Sequence, residues 1–81
     1  MTSESFSKRY FQMPRSEIGY LRFILESYDG LAFARTLDRQ SALVEIAYPP
    51  SRATDAESLL KALAPEIGLQ EVPAPQQIVP L

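Results

Sequence analysis

The chain of 81 residues contains no cysteine, no histidine and no tryptophan, only three glycines, and no long hydrophobic run. Without cysteine there is neither a disulfide nor a thiolate metal site, and without histidine the commonest metal ligand and general base is missing. Zinc centres and Ser-His or Cys-His catalytic arrangements are therefore excluded. No apolar stretch approaches the ~20 residues that a membrane-spanning helix needs. The opening MTSESFSKRY also lacks the apolar core of a signal peptide, so a cytoplasmic protein with no membrane partner is expected. A net charge of −2 and a pI near 5.0 argue against a general polyanion binder, although they allow a local basic patch.

What is present is organised around Ser16 to Leu37, SEIGYLRFILESYDGLAFARTL. Ser16 is placed as an N-cap and Glu17 as a first-turn acid, where the helix dipole favours a carboxylate. A step of 100° then gathers Ile18, Tyr20, Leu21, Ile24, Leu25 and Tyr28 on one arc, with Gly19, Arg22 and Glu26 opposite. Asp29-Gly30 supplies the stop, since glycine takes the left-handed conformation without a Cβ clash. A helix of about 13 residues spans roughly 20 Å. Burying its apolar arc contributes at most about 9–18 kcal/mol, and ordering it costs about 1.5 kcal/mol per residue, so it needs a platform.

The rest of the chain supplies one. Residues 1–7 read as a flexible N-terminus in which only Phe6 has much to bury, and Lys8 to Met13 as a strand ended by Pro14. Leu31 to Leu37 and Ala42 to Tyr48 read as adjacent antiparallel strands joined through Asp38-Arg39-Gln40-Ser41. Alternation puts Val44, Ile46 and Tyr48 on one face and Leu43, Glu45 and Ala47 on the other. Likewise Leu31, Phe33, Arg35 and Leu37 oppose Ala32, Ala34 and Thr36. Neither strand has a cleanly polar face.

Pro49-Pro50 ends the hairpin, and Thr54-Asp55-Ala56-Glu57 fits a capping box before the apolar stripe Ala56, Leu59, Leu60 and Leu63, which Pro65 closes. After a turn at Glu66 to Gly68, Leu69 to Val72 is long enough for a short last strand. Residues 73–81 form a proline-rich tail. Residues 8–72 thus make a single α+β domain in the order βαββα(β), the ferredoxin-like or split β-α-β arrangement, an antiparallel sheet with two helices on one face.

The run LRFILESYDGLAFARTL, followed by a strand and Pro-Pro, resembles a small bacterial domain family of unknown function over Tyr10 to Ile67. That resemblance implies a compact cytoplasmic module without an assigned activity. More loosely, Ser16-Glu-Ile-Gly-Tyr-Leu21 is similar to the Asp-x-Pro-Gly-x-Leu pattern of ACT-type regulatory domains, with Ser for Asp and Ile for Pro. The carry-over reaches Gly19 and Leu21 and implies an amino-acid ligand.

Three residues stand out as ligand or partner contacts. Gly19, in the first helical turn, is either a tolerated or closely packed glycine or an opening for a ligand or another chain. Phe23 lies outside the apolar arc, where it is exposed, docked by the tail, or in contact with a partner. Phe33 is an aromatic on the sheet. Glu26, Asp29, Asp38 and Glu45 read as solvated faces and caps rather than a catalytic or metal pair, and Glu45 with Arg35 as a cross-strand pair. Lys8, Arg9, Arg15, Arg22, Arg35, Arg39 and Arg52, with Tyr10, Phe11 and Phe33, raise an RNA reading, but ALVEIAY lacks the basic, glycine-and-aromatic signature of RNA-recognition modules.

A non-enzymatic module without cofactor or metal is expected. It forms homodimers or joins another protein through its sheet; an ACT-like small-ligand sensor is the second reading and RNA binding the third. A chain this short buries only about 60–65% of its unfolded surface, which makes self-association the natural expectation.

Overall fold

The structure, a computed structural model, describes residues 5–75. Strand β1 (Ser7–Gln12) leads through a 3₁₀ turn at Arg15–Glu17 into helix α1 (Ile18–Ser27). Strands β2 (Phe33–Asp38) and β3 (Leu43–Tyr48) follow. A second 3₁₀ turn at Pro50–Arg52 opens helix α2 (Ala53–Ile67), and β4 (Gln70–Val72) closes the order. The four strands form one antiparallel sheet in the order β2-β3-β1-β4. Strands β1 and β2 both run antiparallel to β3, which lies between them. They are therefore parallel to each other, with α1 as their crossover.

Alternation decides which face is buried. Phe11 opposes Val44 and Ala34 opposes Ile46, so these side chains share one face of the sheet. Val44, Ile46 and Tyr48 join Leu21 and Leu25 of α1 and Ala56, Leu60, Leu63 and Ile67 of α2 in one buried cluster. Both helices thus cover that face. The other, which carries Tyr10, Phe33, Arg35, Glu45 and Ala47, has no helix over it.

Several local expectations give way to tertiary contacts. Ser16 is not a cap: it sits in the 3₁₀ turn, where the Glu17 N–H donates to the Pro14 carbonyl at 2.9 Å, and α1 begins without a side-chain cap. Of the expected arc, Leu21 and Leu25 are buried and Ile18 and Ile24 half-buried, whereas Tyr20 and Tyr28 are exposed. The sheet beneath α1 accepts a narrower stripe than the periodicity suggests. Strand β2 starts at Phe33 rather than Leu31. Gly30 is left-handed at φ 70°, the Leu31 N–H closes a turn on the Tyr28 carbonyl at 2.9 Å, and Leu31 and Ala32 are drawn into the core as a connection.

The β2–β3 hairpin carries an irregularity between Thr36 and Asp38. Its turn is held by the Gln40 N–H donating to Asp38 Oδ1 at 2.9 Å, which keeps the Asp38 carboxyl below its ordinary pKa. Ala42, expected as the first residue of β3, belongs instead to the turn and is left-handed at φ 56°.

The predicted capping box does not form either. Helix α2 starts at Ala53 without a side-chain cap, and the Glu57 carboxylate accepts a hydrogen bond from the Tyr48 hydroxyl at 2.8 Å. Proline does not end this helix: α2 passes through Pro65 to Ile67. The missing N–H removes one helical bond, while two further residues bring Ile67 into the core, where burying an isoleucine contributes about 1.5–3 kcal/mol. Gly68 then stops the helix in the left-handed conformation at φ 72°, with the N–H groups of Gly68 and Leu69 both donating to the Ala64 carbonyl. The short last strand expected from the sequence is present as β4. Residues 1–4 of the predicted flexible N-terminus, and 76–81 of the proline-rich tail with its expected docking, lie outside the described residues.

Candidate functional site

The uncovered face of the sheet is built row by row from strand register. Lys8, Ala47 and Phe33 align across β1, β3 and β2, and beside them Val72, Tyr10, Glu45 and Arg35 align across all four strands. Glu45 at the centre is only 6% exposed although no helix lies above it. A carboxylate so enclosed requires partners. Arg35 Nη2 is 3.4 Å from Glu45 Oε1, and the Tyr10 hydroxyl donates to Glu45 Oε2 at 3.2 Å. Burial, and then the neighbouring Glu45 charge and its hydrogen bond, raise the Tyr10 pKa, with Arg35 opposing. The predicted Arg35–Glu45 cross-strand pair is thus present, with Tyr10 as a third member.

At one end of this face the rings of Phe6 and Phe33 stack at a centroid distance of 6.0 Å and an interplanar angle of 28°. They shield each other only in part: Phe33 is 53% exposed and Phe6 41%. Phe33 also borders a small cleft between α1 and β2 with Arg22, Leu25, Glu26 and Ala34. Phe11, read from the sequence as a sheet aromatic, points to the core and takes no part in the open face.

The three residues singled out from the sequence are not brought together. Gly19 is exposed on α1, its φ is not positive, and a Cβ added to it would meet nothing within 4 Å. The backbone therefore has no conformational need for glycine there. Gly19 also lies within α1 rather than in the connection that precedes it. Phe23, at 66%, is the most exposed of the large hydrophobic residues described. It is on the outer face of α1, and only Phe33 belongs to the sheet. The sequence marks Tyr10 as a sheet aromatic and Phe6 as the one terminal residue with much to bury, but joins neither to Phe33 or Glu45 in a site. Alternation was the available signal, since positions 6, 8, 10 and 12 share a face once β1 is extended to Ser7.

A second cleft, of about 360 Å³, lies where α2 leaves the β1–β4 side uncovered, between Leu60, Lys61 and Ala64 on the helix and Arg9, Phe11 and Glu71 on the strands. Within it Arg9 pairs with Glu71, Arg9 Nε lying 3.1 Å from Glu71 Oε2. At its margin, burial and the hydrogen bond to Glu57 raise the pKa of Tyr48. Among the described residues no group of three or more His, Cys, Asp or Glu side chains is arranged to hold a metal ion, and no helix is long and apolar enough to cross a membrane.

Residues 11–67 match the model of a domain of unknown function, DUF4911. The chain belongs to that family. The matched span runs from Phe11 in β1 to Ile67 at the end of α2, so the family segment includes Glu45, Arg35 and Phe33 but neither Phe6 nor β4. Neither a curated protein nor a solved structure gives a match.

Proposed function

We propose that this member of the family is a non-enzymatic cytoplasmic module that pairs with a second copy of itself through the open face of its sheet. The observation that carries the reading is the stacked, half-exposed Phe6–Phe33 pair on a face with no helix above it. Aromatic rings left in water at the margin of a sheet gain by covering one another across an interface. Beside them the Glu45 charge is already matched by Arg35 and Tyr10, so closing the face against a copy would strand no new carboxylate. We read the topology as the ferredoxin-like split β-α-β arrangement, supported by β3 lying between β1 and β2 and by both helices packing on one face.

Light scattering at high micromolar concentration checks the reading. A dimer mass is expected for the wild type, and a monomer mass for Phe33→Asp with its cooperative thermal transition retained. A wild-type monomer at that concentration would sink it.

The two lesser readings have distinct signatures. RNA binding would use Tyr10 and Phe33 for stacking, yet Tyr10 already donates to the buried Glu45 carboxylate, a negative charge on the same face that disfavours phosphates. An ACT-like amino-acid sensor would show a thermal shift with one amino acid of a panel and none with mixed RNA.

A further inference from the structure

Three of the six arginines in this net-negative chain converge on one place. Arg15 follows Pro14 at the carboxyl end of β1, Arg22 stands in the second turn of α1, and Arg39 follows β2. Because β1 and β2 are parallel, their carboxyl ends lie at the same end of the sheet, where α1 also begins. Together with Ile18 and Thr36 these arginines line a cleft of about 460 Å³. Small-molecule sites commonly occupy about 300–1,000 Å³.

The electrostatics of this cleft are uncompensated. Among the described residues Arg9 pairs with Glu71 and Arg35 with Glu45, and Arg52 donates to the Asp29 carbonyl; none of Arg15, Arg22 or Arg39 has a carboxylate oxygen within 4.0 Å. Asp38, next to Arg39 in the chain, turns its carboxylate to the Gln40 N–H, and Glu26, which shares the neighbouring small cleft with Arg22, forms no ion pair with it among the described residues. Like charges held around one cleft repel each other and raise the local concentration of anions. Guanidinium forks match phosphate oxygens in paired hydrogen bonds, Thr36 adds a hydroxyl donor, and Ile18 offers an apolar wall.

We propose that the Arg15–Arg22–Arg39 cleft binds a small phosphate-bearing anion. The cleft lies on the helix side of the sheet, so binding there and pairing through the open face are separable. Calorimetric titration of the full chain with inorganic phosphate, with pyrophosphate and with a short single-stranded RNA tests it. Saturable binding of pyrophosphate, one per chain, is expected. Arg22→Gln and Arg39→Gln should each weaken it by about 10- to 100-fold, the usual cost of losing a charged hydrogen bond, with the melting temperature little changed. Lys61→Gln, in the other cleft, should leave it unchanged. Three outcomes would overturn the proposal: no saturation by concentrations on the order of 10 mM, an equal loss in Lys61→Gln, or RNA binding that depends on Lys8 and Arg35 of the open face while pyrophosphate fails to bind.

Discussion

Two glycines show how differently one residue type is constrained. Gly68 is left-handed, and a Cβ placed on it would lie 3.0 Å from Pro14 Cδ, inside a rigid ring. Gly68→Ala therefore meets both a backbone penalty of about 1–2 kcal/mol and a clash that the proline ring cannot relieve by rotating away. A loss of at least that much unfolding free energy, measured by chemical denaturation, is expected. Gly19→Ala, in the interior of an exposed helical turn with open space around it, should raise stability by up to about 1 kcal/mol. The sequence marks both positions as glycine and Gly19 draws the functional reading, yet only Gly68 is held by its surroundings. The difference lies in the contact with Pro14, more than fifty positions away, which no local pattern encodes. Glu45 carries the same lesson: Arg35 and Tyr10 are its register partners on the two flanking strands, whereas its burial on a face with no helix over it is marked by no local pattern.

At the scale of elements, α2 is the instructive case. Local rules end it at Pro65, but the core receives Ile67, and the stripe Ala56, Leu60, Leu63 and Ile67 keeps helical spacing through the proline. Ile67→Ala should therefore cost about 2–5 kcal/mol by thermal or chemical denaturation, as for a buried aliphatic; a cost under 1 kcal/mol, as expected of a frayed end, would contradict the packing. The beginnings of both helices depart from expectation in the same direction. Ser16 and Thr54 could cap, but each helix is entered through a 3₁₀ turn set by a proline, Pro14 or Pro50, and the residue meant to complete the second cap, Glu57, is engaged by Tyr48. Where a tertiary partner competes with a local one, the local signature is a poor guide to where the side chain goes.

For the whole molecule, two tyrosines link the sheet to pH. Tyr10 on the open face and Tyr48 beneath the helices both have raised pKa values, through burial first and then through the carboxylates of Glu45 and Glu57. The folded state therefore retains these protons more tightly than the unfolded chain. Their stabilising contribution is fully present below the ordinary tyrosine value of about 10 and is lost as pH rises through the folded-state values. The melting temperature should fall on raising the pH above about 10. The combined Tyr10→Phe and Tyr48→Phe variant should show a shallower fall; an unchanged slope would mean that the tyrosine contacts carry none of it. The same experiment bears on assembly, because Tyr10 ionisation would place a second negative charge against Glu45 on the face proposed to pair.

From the sequence by itself follow the α+β class, the order of elements with a short fourth strand, the face on which Val44, Ile46 and Tyr48 are buried, and the exclusion of cysteine and histidine chemistry. These are properties of periodicity and composition, which local spacing carries. The placement and register of β1 and β4 beside the β2–β3 hairpin, the enclosure of Glu45, the Phe6–Phe33 stack, the continuation of α2 through Pro65 and the gathering of Arg15, Arg22 and Arg39 were decided only by the tertiary structure. Each brings together residues far apart in the chain, and their geometry comes from packing the two helices and four strands around one core.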